Sequence, residues 1–142
     1  MGKLSGKVAV VTGGSKGIGA SIAEHLADEG ASVVVNYANS KAGAEAVVAR
    51  IKDKGGKAIA VQGDVGRPED IKRLFAETKR NHCKVDILVN HAGTYEFASV
   101  EAITPEHIQK HFTLNVAAVL LATQVVMSAN EPPDRLRSNG GY

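Results

Sequence analysis

The sequence has one cysteine, Cys83, no tryptophan, and only three tyrosines and three phenylalanines in 142 residues. A single thiol cannot close an internal disulfide, so a reducing, cytoplasmic setting is expected. An excess of one charge is also lacking: 17 Lys+Arg stand against 15 Asp+Glu, a formal +2. So slight and scattered a basic surplus is no footprint for nucleic acid, and that partner is set aside. Long apolar runs are missing too. The longest, Asn115 to Met127, has polar breaks and is too short for a bilayer, so no membrane partner is expected. The opening residues Met1 to Lys7 are polar and lead straight into a strand-like run, which is not the pattern of a signal segment. The 15 glycines show no collagen period. What is present, 44% hydrophobic and 23% charged residues, is the profile of one soluble globular domain that buries about two-thirds of its chain surface.

Short β-branched runs alternate with longer amphipathic ones. Val8-Ala9-Val10-Val11 is continuously apolar, as a strand covered on both faces must be. Ile18, Ile22, Leu26 and the intervening alanines have helical spacing, and Gly30 ends that helix. A second strand, Ser32 to Val35, precedes a helix over 42–54 with Val47, Val48 and Ile51 inward. Ala58 to Val61 is the third strand. Pro68 opens the next helix where a missing N–H costs least, and Ile71, Leu74 and Phe75 share one face. Val85 to Val89 is the fourth strand. Thr104-Pro105-Glu106 combines a cap, a first-turn proline and a first-turn acid, starting a helix that runs to about Met127. The order βαβαβαβα predicts an α/β fold: a doubly wound parallel sheet of the Rossmann type, ending after about four βα units. One dinucleotide-binding domain over 1–127 is expected, followed by an irregular tail over 128–142, in which Pro132-Pro133 and a single large aliphatic residue cannot make a buried fifth strand.

Between the first strand and first helix lies Thr12-Gly13-Gly14-Ser15-Lys16-Gly17-Ile18-Gly19. Glycines let the backbone turn sharply and approach a pyrophosphate, and the helix start beyond them offers unpaired N–H groups and a positive dipole end. The end of the second strand decides which dinucleotide fits. An acid there bonds a ribose 2′-OH and repels a 2′-phosphate. Asn36 is neutral, and Lys16 and Lys41 are cations within reach, so electrostatics favour NADP over NAD.

These residues resemble the N-terminal part of the short-chain dehydrogenase/reductase family, in particular 3-oxoacyl-acyl-carrier-protein reductases and glucose 1-dehydrogenase-like members, from about Lys3 to Val126. Thr12-Gly13 through Gly17-Ile18-Gly19 matches the family's glycine turn, and Lys16 resembles the basic residue of NADP-preferring members. Asp64-Val65 matches the pair that contacts adenine. Asn90-His91-Ala92-Gly93 matches Asn-Asn-Ala-Gly, with histidine in second place. Asn115 matches the asparagine of the catalytic tetrad. The resemblance implies an NADP-linked oxidoreductase acting on a small carbonyl/alcohol substrate. It implies a cofactor site built from Gly13, Ser15, Lys16, Gly17, Ile18, Gly19, Asn36, Tyr37, Asp64, Val65, Asn90, His91, Ala92 and Gly93. Asn115 would help to order a proton-relay water. It also implies a homo-oligomer, associated partly through the helix that carries Val116 to Met127.

The family's serine, tyrosine and lysine follow a fifth strand that these 142 residues do not contain, so turnover by this chain alone is not expected. Tyr37-Ala38-Asn39-Ser40-Lys41 spells Y-x-x-x-K, but at the adenosine end. Tyr95 is followed at that spacing by Ser99, and Tyr142 by nothing. A reductase cut short or frame-shifted near Val126 is the leading expectation, and a non-catalytic nucleotide-binding module the alternative. The fourth strand would then be an apolar sheet edge, which favours aggregation. His107 and His111 share a helical face without a third ligand, so no metal site is expected. Cys83 is expected buried or half-buried, and Asn115 buried within its apolar helix.

Overall fold

The computed structural model describes residues 2–94 and 96–130. Four strands, β1 (Val8–Val11), β2 (Ser32–Tyr37), β3 (Lys57–Gln62) and β4 (Ile87–Val89), form one sheet. Its order is β3-β2-β1-β4, with every pairing parallel. Helices α1 (Gly17–Asp28), α2 (Lys41–Asp53) and α3 (Pro68–His82) make the first crossovers. A single turn of 3-10 helix, Val100–Ala102, leads to α4 (Pro105–Phe112), a π-helical turn (Thr113–Ala117) and α5 (Ala118–Asn130). The doubly wound parallel arrangement read from the alternation is what the chain adopts.

Strand alternation sorts the core into two layers. Ala9, Val11, Val33 and Val35 face Ala20, Ala23, Ala27, Val47 and Ile51 of α1 and α2. Val10, Val34 and Val61 face Ile71, Leu74, Phe75, Ala118 and Ala122 of α3 and α5. Helix α3 starts on Pro68 with Glu69 and Asp70 in its first turn, and α4 on Thr104, whose side chain accepts the His107 N–H at 3.1 Å. Both starts follow the local signals.

Several expectations are corrected. The fully buried face of α1 belongs to its small residues, Gly19, Ala20, Ala23 and Ala27, with Ile22 and Leu26 packed half-buried beside them, whereas Ile18 is 70% exposed. A helix that must lie close to a valine-lined sheet presents its smallest side chains to it. The fourth ladder begins at Ile87 and not at Val85, because the N–H of Val8 goes to the Asp86 carboxylate at 2.8 Å. Val85 is buried all the same. Cys83 is exposed and takes a left-handed backbone at the end of α3, with φ of 66°. The last helix outruns its expected end by one turn. Asn130 donates to the Val85 carbonyl at 2.6 Å and Lys79 to that of Ala129 at 3.1 Å, tying this turn down. The rest of the expected tail, with Tyr95 and Tyr142, lies outside the described residues.

Pro105–Asn130 runs as one helix that is, by length and composition, long and apolar enough to cross a membrane. The apolar run read from sequence is thus part of a longer element. One side of it is packed on the domain through Ala118 and Ala122. Ile108, Phe112, Val116 and Leu120 form an exposed stripe at four-residue steps on the other.

Two predictions follow from this packing. Phe75→Ala should cost about 3–5 kcal/mol in chemical denaturation, while Ile18→Ala should stay within about 0.5 kcal/mol. Equal losses would overturn the assignment of faces. At the sheet's amino end, withdrawal from water pushes the Asp86 carboxyl up, but the Val8 N–H, Lys84 and Lys7 outweigh it and hold the group below the usual carboxylate range. A carboxyl held low when folded stabilises the fold above its unfolded pKa and stops doing so as pH falls through the folded one. Asp86→Asn should therefore lower the melting temperature at neutral pH, and the gap should close in acid. A gap that widened in acid would contradict the charge pairing.

Candidate functional site

Because β1 lies between β2 and β4, the chain's crossovers leave the sheet's middle in opposite directions, and a crevice opens beyond the carboxyl ends there. A cleft of about 450 Å³ occupies it. The β1–α1 turn lends Gly13, Ser15 and Lys16; the end of β2 lends Asn36, Ala38, Asn39 and Ser40. Gly63, Asp64 and Val65 come from the end of β3, and His91 to Thr94 from the end of β4, with Leu114 of the π turn closing the far side.

Backbone proximity builds the floor. Gly13 has φ of +63°, and a Cβ on it would lie 2.9 Å from Ala92 Cα. A Cβ on Gly19 would lie 2.4 Å from the Gly13 carbonyl oxygen and 2.6 Å from His91 Cδ2. Only glycine admits this approach. Lys16, at the start of α1, is extended and gives that helix no side-chain cap, so first-turn N–H groups remain for an anion. No carboxylate among the described residues pairs with Lys16.

Two buried polar side chains fasten the turns. Thr12, 2% exposed, donates to the Val89 carbonyl at 3.4 Å and accepts the N–H groups of His91 and Ala92, each at 3.1 Å. Asn36, 1% exposed, accepts the Gly13 N–H at 3.3 Å and donates to the carbonyls of Val61 at 3.3 Å and Gly63 at 3.1 Å. It thus joins the ends of β1, β2 and β3. Asn36 lines the cleft as a neutral residue, its amide spent on backbone, and Ala38, Asn39 and Ser40 form the wall beyond it. All three are uncharged.

Other predicted site residues fall in different places. Tyr37 packs into the α1–α2 core and does not line the cleft. Asn90 points its amide toward the Thr123 hydroxyl at 3.4 Å, outside the cleft lining. Gly17, with φ of +58°, Ile18 and Gly19 form the start of α1 behind the floor. Asp64 stands in the cleft and accepts the Gly66 N–H at 2.8 Å. Val65 is buried at its side.

Asn115 is exposed, contrary to the buried position expected of it. It sits in the π turn, where the extra residue per turn aims its amide at Thr94: Oδ1 accepts the Thr94 N–H at 2.8 Å and Nδ2 donates to the Thr94 carbonyl at 2.7 Å. His107 and His111 do share a face, stacked at 4.3 Å between centroids. His111 Nε2 accepts the Glu96 N–H at 3.0 Å, and Glu96 also pairs with Lys110 and approaches His107 at 3.9 Å. Lys110, with His111 and His107 behind it, holds the Glu96 carboxyl below its usual range.

The family model for short chain dehydrogenase matches residues 7–134. The chain belongs to that family. It is 57% identical over 124 residues to an uncharacterized oxidoreductase of Methylorubrum extorquens, covering 87% of this chain and 50% of that one. It is 49% identical over 113 residues to versicolorin reductase 1 of Aspergillus parasiticus, covering 80% and 43%. Among solved structures, a short chain dehydrogenase from Burkholderia cenocepacia in complex with NADP superposes with a TM-score of 0.86 at 40% identity, covering 89% of this chain and 51% of that one. The chain thus spans about half the length of the relatives it matches.

Ala38, Asn39, Ser40, Thr94 and Leu114 line the cleft without belonging to a site motif, and Thr12, which opens the glycine turn, fastens it from beneath. Thr12 and Ala38 to Ser40 flank predicted strand ends, where a parallel sheet binds ligands, and that signal was available. Thr94 and Leu114 carried none.

Removing the Asn36 side chain takes one partner from the Gly13 N–H and from each of the Val61 and Gly63 carbonyls. Asn36→Ala should cost roughly 2–4 kcal/mol in denaturant titration. If the loss stayed below about 0.5 kcal/mol, the residue would be an exposed wall and not a clamp.

Proposed function

We propose that this cleft binds NADP(H) and that the protein is an oxidoreductase interconverting a small carbonyl compound and its alcohol. The observation that carries this reading is the wall at the end of β2. Asn36, Ala38, Asn39 and Ser40 offer no carboxylate to repel a 2′-phosphate, and Lys16 stands across from them with its ammonium unpaired among the described residues. The family membership and the NADP complex of the Burkholderia cenocepacia relative support the same cofactor.

The donor set fits such a group. Gly13 and Gly19 leave the turn without side-chain bulk, the start of α1 offers N–H groups for the pyrophosphate, and Asp64 and Val65 flank the adenine side. When bound, the nicotinamide supplies or accepts the hydride. Asn115 is the chain's contribution beside the reacting end. Held on Thr94 by one amide hydrogen and one oxygen lone pair, it keeps its remaining hydrogen and lone pair for a water. Tyr37, the one tyrosine among the described residues, packs in the core, and the chain spans about half the length of its relatives, which supports a cofactor-holding role for this part of the fold. The exposed stripe of Ile108, Phe112, Val116 and Leu120 suits association with further protein, including a second copy.

Titrating the 142-residue chain with NADPH should give one site per chain, with NADH about tenfold weaker, as one phosphate–ammonium contact implies. Lys16→Ala should erase most of that preference, and no NADPH should be consumed when a ketone is added. Tighter binding of NADH, or sustained ketone-dependent oxidation, would sink the corresponding part of the reading.

A further inference from the structure

Beyond β4 the chain runs beside the helix that begins at Pro105, and three side chains of that helix hold it there. Asn115 takes both backbone groups of Thr94. His111 accepts the N–H of Glu96 on Nε2 at 3.0 Å. Lys110 pairs with the Glu96 carboxylate, which also comes within 3.9 Å of His107 Nδ1. A backbone N–H can only donate, so Nε2 of His111 carries no hydrogen. Its proton sits on Nδ1 and goes to the His107 carbonyl at 2.8 Å, which fixes the direction of the ring. Four helical residues advance about 6 Å, and two residues of chain reach about 7 Å at most. Thr94 and Glu96 thus meet Asn115 and His111 in register, running against the helix.

Of these residues only Thr94 lines the cleft. The Asn115 amide fixes Thr94 at one point, about which the segment could still pivot and carry the amide with it. A second attachment two residues on removes that pivot. Resting on the cofactor reading above, we infer that His111 is a positioning residue for the reacting end of the cleft: with Lys110 it anchors Glu96, and so holds Thr94 and the Asn115 amide in one place. His111 and Lys110 do not line the cleft and act only through Glu96. The bridge between Lys110 and Glu96 joins side chains 58% and 49% accessible, so alone it contributes little, and the half-buried His111 carries the larger share. None of Thr94, Glu96, Lys110 and His111 belongs to either layer of the core, so freeing this segment should leave the stability of the fold nearly unchanged.

The test titrates the 142-residue chain with NADPH and with adenosine 2′,5′-bisphosphate, which offers the adenosine end alone, and follows chemical denaturation of each variant in parallel. His111→Ala should bind NADPH about fivefold more weakly, the size of one neutral hydrogen bond. Its affinity for the bisphosphate should stay within about twofold of the native value. His111→Gln, whose amide oxygen can accept the same N–H, should recover most of the loss. Glu96→Lys, which sets like charges together at Lys110, should weaken NADPH about threefold, and adding Lys110→Glu should restore it. Denaturation midpoints should coincide throughout. Equal weakening of both ligands, or a lowered midpoint in every variant, would make this cluster a support of the fold and overturn the positioning role. Undiminished NADPH binding by both His111→Ala and Glu96→Lys would overturn it too, while leaving the cofactor reading intact. If the native chain bound neither ligand, the cofactor reading would fail and this inference with it.

Discussion

The close approach of two backbones governs this structure. The turn after β1 comes so near the segment after β4 that Gly13 and Ala92 would collide through a single added carbon, and the start of α1 is pressed equally close to Gly13 and His91. This contact sets the slope of α1 against the sheet, brings the uncapped helix start to the crevice and fixes where His91 lies. It also explains why α1 turns glycine and alanine inward and leaves Ile18 outside. A helix held that near a valine surface has room at the point of closest approach for little more than a methyl group, and Ile22 and Leu26 pack at its flanks.

Such an approach leaves strand ends whose backbone groups cannot all pair within the ladder. Thr12 and Asn36 meet that need. Each is almost fully buried, and each makes three hydrogen bonds that join different strand ends. Their polarity thus serves the shape of the cleft before it serves any ligand. The neutral character that suits a 2′-phosphate is supplied by the backbone-facing Asn36 only indirectly, through the uncharged wall that follows it.

On the opposite layer, the long helix from Pro105 has two surfaces with different work. Small residues, Ala118 and Ala122, sit in the core, while larger ones form the outward stripe. The π turn between α4 and α5 carries Asn115 to Thr94 and so couples this helix to the rim of the cleft. With β4 at the sheet edge and the chain half as long as its relatives, apolar surface is concentrated on this side of the domain.

The sequence by itself determined the element order, the parallel α/β architecture, the glycine turn and the caps of the later helices. These depend on local periodicity, on proline and on hydrogen bonds between near neighbours, all of which a linear string displays. It also pointed to the cleft through Gly13, Lys16, Asp64 and His91, since ligands in parallel sheets meet strand ends. Only the tertiary structure decided where individual side chains aim. Tyr37 turned into the core, Asn36 became a clamp, Asn115 surfaced through a π turn, and the last helix ran on to Asn130 because Val85 could receive its amide. In each case the deciding partner lies on another element, distant in the chain, so that no spacing pattern could reveal it.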